Sequence, residues 1–267
     1  MALAEPRRPR VGSALRRAAS GVLDLVLPRH CVACEGALDT HETGVVCGRC
    51  WARLEPLAAP RCERCGHPER ARPVFVTAER SCAWCELLPP YVRAVRSAAW
   101  MGGAGSAPAI VHALKYAAWP EVAVGMAARM ARLSWPADVE RERALVVPVP
   151  LAPARERERG FNQSALVATA LAARWGIPAA LDLLERGRAT RTQTRLTPGE
   201  RLANVRGAFR ATDGAPARLR GLHVVLVDDV VTTCATLNAC AAVLFGRGAR
   251  IVSYVTFGRA RTDGDRS

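Results

Sequence analysis

The polarity pattern is most ordered toward the C-terminal end of the chain. Residues 222–227 form a short, β-branched and nearly unbroken apolar run, the pattern of a strand covered on both faces of a parallel sheet. The period then changes. Leu237, Cys240, Ala241, Leu244 and Phe245 fall at helical spacing, Gly246 and Gly248 signal a stop, and residues 250–257 read as the next strand. Between strand and helix lie Asp228, Asp229, Thr232, Thr233, Cys234, Ala235 and Thr236. This polar cluster therefore occupies the carboxyl end of a strand, where open α/β sheets bind ligands.

The same alternation extends back to residue 91. Residues 94–100 read as a strand, 102–105 as a turn, 107–116 as a helix carrying His112 and Lys115, and 121–133 as a second helix. A buried strand over 144–149 ends in Pro148, Val149 and Pro150. A loop over 151–160 holds Arg155, Arg157 and Arg159; a helix follows over 162–175 and a strand over 181–185. Residues 186–210 are polar and basic with no clear period until Pro198 opens a short helix, and a loop of this length in a compact domain reads as a lid. The expected fold class is α/β, a parallel sheet flanked by helices over 91–260, with a disordered tail over 261–267.

Before residue 91 the pattern is different. Residues 7–27 are Arg-rich and then apolar, with helical spacing at Leu15, Ala18, Val22, Leu25 and Val26. Asp24 interrupts the apolar part and no small-residue cleavage site precedes the cysteines, so 1–28 reads as a tail and packing helix, not a signal peptide. Eight of the ten cysteines then fall in four CxxC pairs: Cys31/Cys34, Cys47/Cys50, Cys62/Cys65 and Cys82/Cys85. Two residues between ligands let a tight knuckle present both sulfurs to one metal, so 29–90 is expected to hold two structural zinc ions. Sequential sharing closes loops of 12 and 16 residues; cross-braced sharing is the alternative. His41 and His67 are expected at the surface, because four thiolates already complete each site.

Composition restricts the setting. The chain has 267 residues, half of them hydrophobic, and no apolar stretch long enough to span a membrane, so a cytoplasmic protein is expected. Formal net charge is +14, and of 38 basic and 24 acidic residues only 13 and 10 lie before residue 91. The basic excess belongs to the C-terminal part, where it would attract a polyanion, whether a pyrophosphate-bearing substrate or nucleic acid.

The cluster at 228–236 narrows the ligand. Backbone N–H groups and the hydroxyls of Thr232, Thr233 and Thr236 at a helix amino end suit a phosphate, and adjacent carboxylates suit vicinal sugar hydroxyls. Together they describe a sugar-phosphate site. The run from Val227 to Thr236 resembles the phosphoribosyl pyrophosphate (PRPP) motif of type I phosphoribosyltransferases. The resemblance implies that Asp228 and Asp229 hold ribose hydroxyls at the catalytic centre, and that Thr232, Thr233, Cys234, Ala235 and Thr236 hold the 5′-phosphate. Cys234 stands where those proteins usually have Gly, and a Cβ in a left-handed conformation costs roughly 1–2 kcal/mol. The depressed pKa of a thiol at a helix amino terminus supplies a second reading, a redox-sensitive gate.

Further segments extend the likeness: Leu114-Lys115-Tyr116, Val147-Pro148-Val149-Pro150-Leu151, Arg159-Gly160-Phe161-Asn162-Gln163, Arg191-Thr192-Gln193 and Asn204-Val205-Arg206-Gly207-Ala208-Phe209. Their order and spacing resemble the ComF family, which joins a double zinc ribbon to a phosphoribosyltransferase-like domain and is linked to DNA uptake. That resemblance adds Pro148, Val149, Lys115 and Arg191 to the PRPP-binding residues, with Mg²⁺ accompanying PRPP. It implies PRPP, single-stranded DNA and competence-machinery proteins as partners. Two readings follow: a phosphoribosyltransferase, and a PRPP-fold module without turnover that binds single-stranded DNA or a protein in DNA uptake.

Overall fold

The computed structural model describes residues 29–39, 44–69, 82–117, 119–187 and 207–261. The expected N-terminal helix, His41, Arg191 with the lid over 191–201, and the tail beyond 261 lie outside the described residues.

At the centre is a sheet of four parallel strands: β1 (Val92–Met101), β2 (Arg143–Pro148), β5 (His223–Val231) and β6 (Ile251–Ala260), in the order β1-β6-β5-β2. Burial on both faces is complete at its middle. Val224 and Leu226 look to one side and Val225 and Val227 to the other, and all four are 0% exposed. β5 continues through the acidic pair, with Asp228 opposite Thr256 of β6, so the carboxylates are held by the sheet itself.

One face is covered by α3 (Ala107–Tyr116), α4 (Val122–Met130), the short α5 (Ala137–Glu142) and α7 (Gln163–Trp175). The other carries α9 (Ala235–Gly246), the short α8 (Ala215–Leu219), and a hairpin of β3 (Leu184–Arg186) and β4 (Phe209–Ala211). The strand expected over 181–185 is thus three residues long and antiparallel to β4, outside the main sheet. Its apolar residues Leu183 and Leu184 pack beneath the sheet instead of extending it.

The stretch 151–160, expected as a loop, contains helix α6 (Pro153–Arg159). The local reasons are readable. Pro153 opens the helix, Glu156 lies in its first turn, Arg157 and Arg159 lie in its last, and Gly160 ends it at φ +83°. No residue of α6 is buried, so it has no apolar stripe and leaves no periodic signal.

The cysteine region contributes α1 (Gly48–Ala52) and α2 (Ala83–Glu86) and packs closely on the α/β part. Cys31 and Cys50 join the core on the α4 face, whereas Cys65 and Trp84 join the core on the α9 face. Trp51 lies edge-on to Phe257 at 6.3 Å, under the Arg129 guanidinium, and so close to Gly125 that a Cβ there would overlap the indole. On the opposite side Arg64 donates to the carbonyls of Cys85, Leu88, Pro89 and Val92. No helix among the described residues is long and apolar enough to cross a membrane.

Candidate functional site

The eight thiols gather as two groups of four: Cys31, Cys34, Cys47 and Cys50, and Cys62, Cys65, Cys82 and Cys85. Sharing is therefore sequential. Sulfur separations of 3.8 Å for Cys31–Cys50 and Cys34–Cys47, 3.5 Å for Cys62–Cys85 and 3.6 Å for Cys65–Cys82 leave no disulfide. They fit a tetrahedral ion with Zn–S near 2.3 Å, whose ligands lie about 3.8 Å apart. The knuckle backbones are turned inward, with the Cys47 and Cys50 N–H groups donating to the sulfurs of Cys31 and Cys47 at 3.3 Å. Burial opposes ionisation of Cys31, but the N–H groups of Cys47, Ala33 and Cys34 and the Cys34 thiol outweigh it and bring its pKa down to about 7. The donor set suits zinc, which would supply cross-linking and folding energy here. His67 is half-buried, not at the surface as expected: its ring stacks on Trp84 at 5.4 Å and meets Trp100 edge-on at 5.8 Å.

A cavity of about 520 Å³ opens at the carboxyl ends of β2 and β5. The chain leaves these neighbouring strands in opposite directions, from β2 through α6 to α7 on one face and from β5 to α9 on the other. The crevice is thus a topological switch point. Asp228, Asp229, Thr232, Cys234, Ala235 and Thr236 line it from β5 and the start of α9, Val149 from the end of β2, and Lys115 from α3. The side chains of two other expected ligands do not line it. Pro148 is buried in β2 opposite Val227, and Thr233 does not line the cavity; its hydroxyl is buried without a hydrogen-bond partner among the described residues.

The acidic pair is strongly organised. Asp228 Oδ1 accepts from Ser164 Oγ at 3.0 Å and from the Asp229 N–H at 2.9 Å. Burial raises the Asp228 pKa to about 6, against the lowering effect of Lys115, the Ser164 hydrogen bond and Arg186. Asp229 Oδ1 accepts from the Val230 N–H at 2.9 Å, and its Oδ2 is ion-paired with Lys115. Burial also depresses the Lys115 pKa, opposed by the charge of Asp228.

Asp229 is not free to begin a metal shell, since one of its oxygens already carries an ammonium and the other accepts from a backbone N–H. Asp229 so paired does not fit a directly held Mg²⁺, which demands near-octahedral oxygen ligands; the expectation from the resemblance is of Mg²⁺ accompanying PRPP, on the ligand.

Arg159, from the basic stretch expected to meet a polyanion, and Gln163, from a segment that carries the family resemblance, also line the cavity, as do Ser164 and Arg186, to which the sequence assigns no individual role. Asn162 caps α7 by accepting from the Ser164 N–H, and its side-chain amide donates to the Val149 carbonyl at 3.1 Å, tying β2 to the helix. An Asn directly before a periodic apolar run was the available signal. Arg159 hydrogen-bonds Gln163 and lies over the Tyr116 ring at 5.4 Å.

Cys234 adopts φ +59°, a left-handed conformation, immediately before α9. It is 3% exposed, and burial raises its pKa to about 11 although Arg259 pulls it down. The reading of Cys234 as a low-pKa thiol is corrected accordingly, because burial disfavours the thiolate.

Comparison with known proteins agrees with this assembly. Residues 22–86 match the double zinc ribbon domain. DNA utilization protein YhgH of Salmonella typhimurium is 33% identical over 235 residues, spanning 85% of this chain and 96% of that protein. The Escherichia coli (strain K12) protein of the same name is 30% identical over 236 residues, with the same coverage. The chain belongs to the ComF family. Competence protein F of Haemophilus influenzae is 33% identical over 118 residues, 43% of this chain and 50% of that protein. Among solved structures, the glutamine PRPP amidotransferase from B. subtilis is 24% identical, covers 50% of this chain and 25% of its own, and superposes with a TM-score of 0.32. In this ComF protein the ribbons and the parallel sheet share one packed body, with a ribbon against each face of the sheet.

Proposed function

We propose that this ComF protein binds PRPP at the cavity beside β5 and acts in DNA utilisation, the setting that the names of its relatives state. One observation carries the reading: the acidic pair and the left-handed loop that opens α9 line the same cavity. A 5′-phosphate would meet the N–H groups at the start of α9 and the Thr232 and Thr236 hydroxyls, where the helix end favours an anion. The ribose hydroxyls would donate to Asp228, whose Oδ2 has no protein donor in the described hydrogen bonds. Arg155, Arg159 and Arg186, on the cavity wall, would face the pyrophosphate. With the leaving group so neutralised, the chemistry open to the site is transfer of the phosphoribosyl group through an oxocarbenium-like centre next to the carboxylates.

The second reading, a module without turnover that binds single-stranded DNA, draws on the same arginines and on the basic excess of the chain. Calorimetry separates the two. PRPP should bind the wild-type protein, and Asp228→Asn should weaken it by about 10- to 100-fold, the loss of a charged acceptor. Binding of single strands with no uptake of PRPP would replace the first reading with the second.

A further inference from the structure

The chain has 38 basic side chains, and only one of them, Lys115, is lysine. It stands where a carboxylate of the acidic pair is covered. Its ammonium meets Asp229 Oδ2 with the two side chains 23% and 6% exposed. Val111 and Leu114, both buried, hold this turn of α3 against the sheet. An ammonium is a compact point charge with three donors, nearer to a metal ion in shape and charge density than the planar fork of arginine. Asp229 is thereby fixed at both oxygens, by the Val230 N–H and by Lys115, leaving Asp228 to meet the ligand.

The surroundings favour the same assignment. Lys115, Arg155, Arg159 and Arg186 line the cavity against only two carboxylates, Asp228 and Asp229. A divalent ion on Asp229 would displace the ammonium and then lie beside it, adding positive charge to a cavity that already has an excess. A phosphate monoester, in contrast, is attracted by the whole set.

We propose that Lys115 is the resident cation of this site, holding Asp229 in place of a divalent metal ion, so that the cavity takes a ribose 5-phosphate unit without metal. This rests on the sugar-phosphate reading above and adds a positioning residue and a ligand class to it. It also distinguishes the ribose end of the ligand, served by a fixed side-chain charge, from a pyrophosphate end that carries its own counterions in solution.

The test is calorimetry of the full-length protein with ribose 5-phosphate, in buffer freed of divalent ions and in the same buffer with Mg²⁺. Wild type should bind equally in both, within about twofold, and Lys115→Met should bind at least about tenfold more weakly without Mg²⁺ and recover part of the loss with it. Wild-type binding that requires Mg²⁺ overturns the proposal and leaves the sugar-phosphate reading standing. Binding in neither buffer overturns both. Lys115→Met binding like wild type in metal-free buffer also overturns the role given to Lys115. A second readout needs no variant: with isotope-labelled lysine the protein gives one lysine spin system, which ribose 5-phosphate should shift and Mg²⁺ alone should leave in place. A shift with Mg²⁺ alone contradicts the proposal.

Discussion

Asp228 shows how much of the site is decided by surroundings. Desolvation at the end of β5 raises its pKa to about 6, against the ammonium of Lys115, the hydroxyl of Ser164 and the guanidinium of Arg186. The ionised form is the stronger acceptor for a ribose hydroxyl, so affinity for ribose 5-phosphate should rise as pH passes upward through about 6 and then level off. The phosphate also titrates near pH 6. Asp228→Asn should therefore keep a shallower dependence and lose the step that belongs to the carboxylate. Identical pH profiles for the two proteins would contradict the assignment. For folding the sign is reversed. The native pKa lies above the unfolded value of about 3.9, so the native state binds more protons in between, and Asp228 costs stability as pH rises through that window. The acidic pair itself was legible from the sequence, because two carboxylates closing a buried strand have few structural uses. Its partners were not: Lys115 and Ser164 are far from it in the chain, and no local pattern records an ion pair formed across a fold.

At the scale of elements, the unit from β5 through α9 to β6 follows the polarity pattern closely, since each element buries enough apolar surface to impose its own period. Helix α6 and the hairpin of β3 and β4 do not, because one buries nothing and the other contributes only three residues per strand. The turn between β5 and α9 carries the most informative departure. At Cys234 the backbone is left-handed while the side chain belongs to the core on the α9 face. Cys234→Gly relieves roughly 1–2 kcal/mol of conformational cost and forfeits the packing of one sulfur, so its stability should fall within about 1 kcal/mol of wild type. Cys234→Ala keeps the cost and loses the sulfur as well, and should be the less stable variant by about 1 kcal/mol or more. Urea denaturation of the three proteins gives the order directly. Alanine as stable as glycine would mean that the left-handed backbone carries no strain.

At the scale of the molecule, the composition changes at residue 90 while the packing does not. Cysteine content, charge and periodicity all change there, yet Cys65 and Trp84 share a core with Leu226 and Tyr254, and Cys31 and Cys50 share one with Val225 and Phe257. Sequence reveals the spacing of metal ligands because a knuckle is local, so two zinc ribbons could be read from four CxxC pairs. That the ribbons grip opposite faces of one sheet depends on long-range fits such as Trp51 against Gly125, which leave no periodic trace. Both ribbons also reach the carboxyl ends of β1 and β6, where the Trp100 N–H donates to the Glu55 carbonyl and Arg259 to the Cys65 carbonyl.

The central claim is that this ComF protein holds a phosphoribosyl group between the start of α9 and Asp228. A crystal structure of the full-length protein with ribose 5-phosphate tests it most directly. The expected result places the phosphate against the N–H groups of residues 233–236 and the ribose hydroxyls within hydrogen-bonding distance of Asp228, with Lys115 still on Asp229. A ligand bound the other way round, with its phosphate on the arginines of α6 and its sugar away from Asp228, would contradict it, as would an empty cavity at saturating ligand.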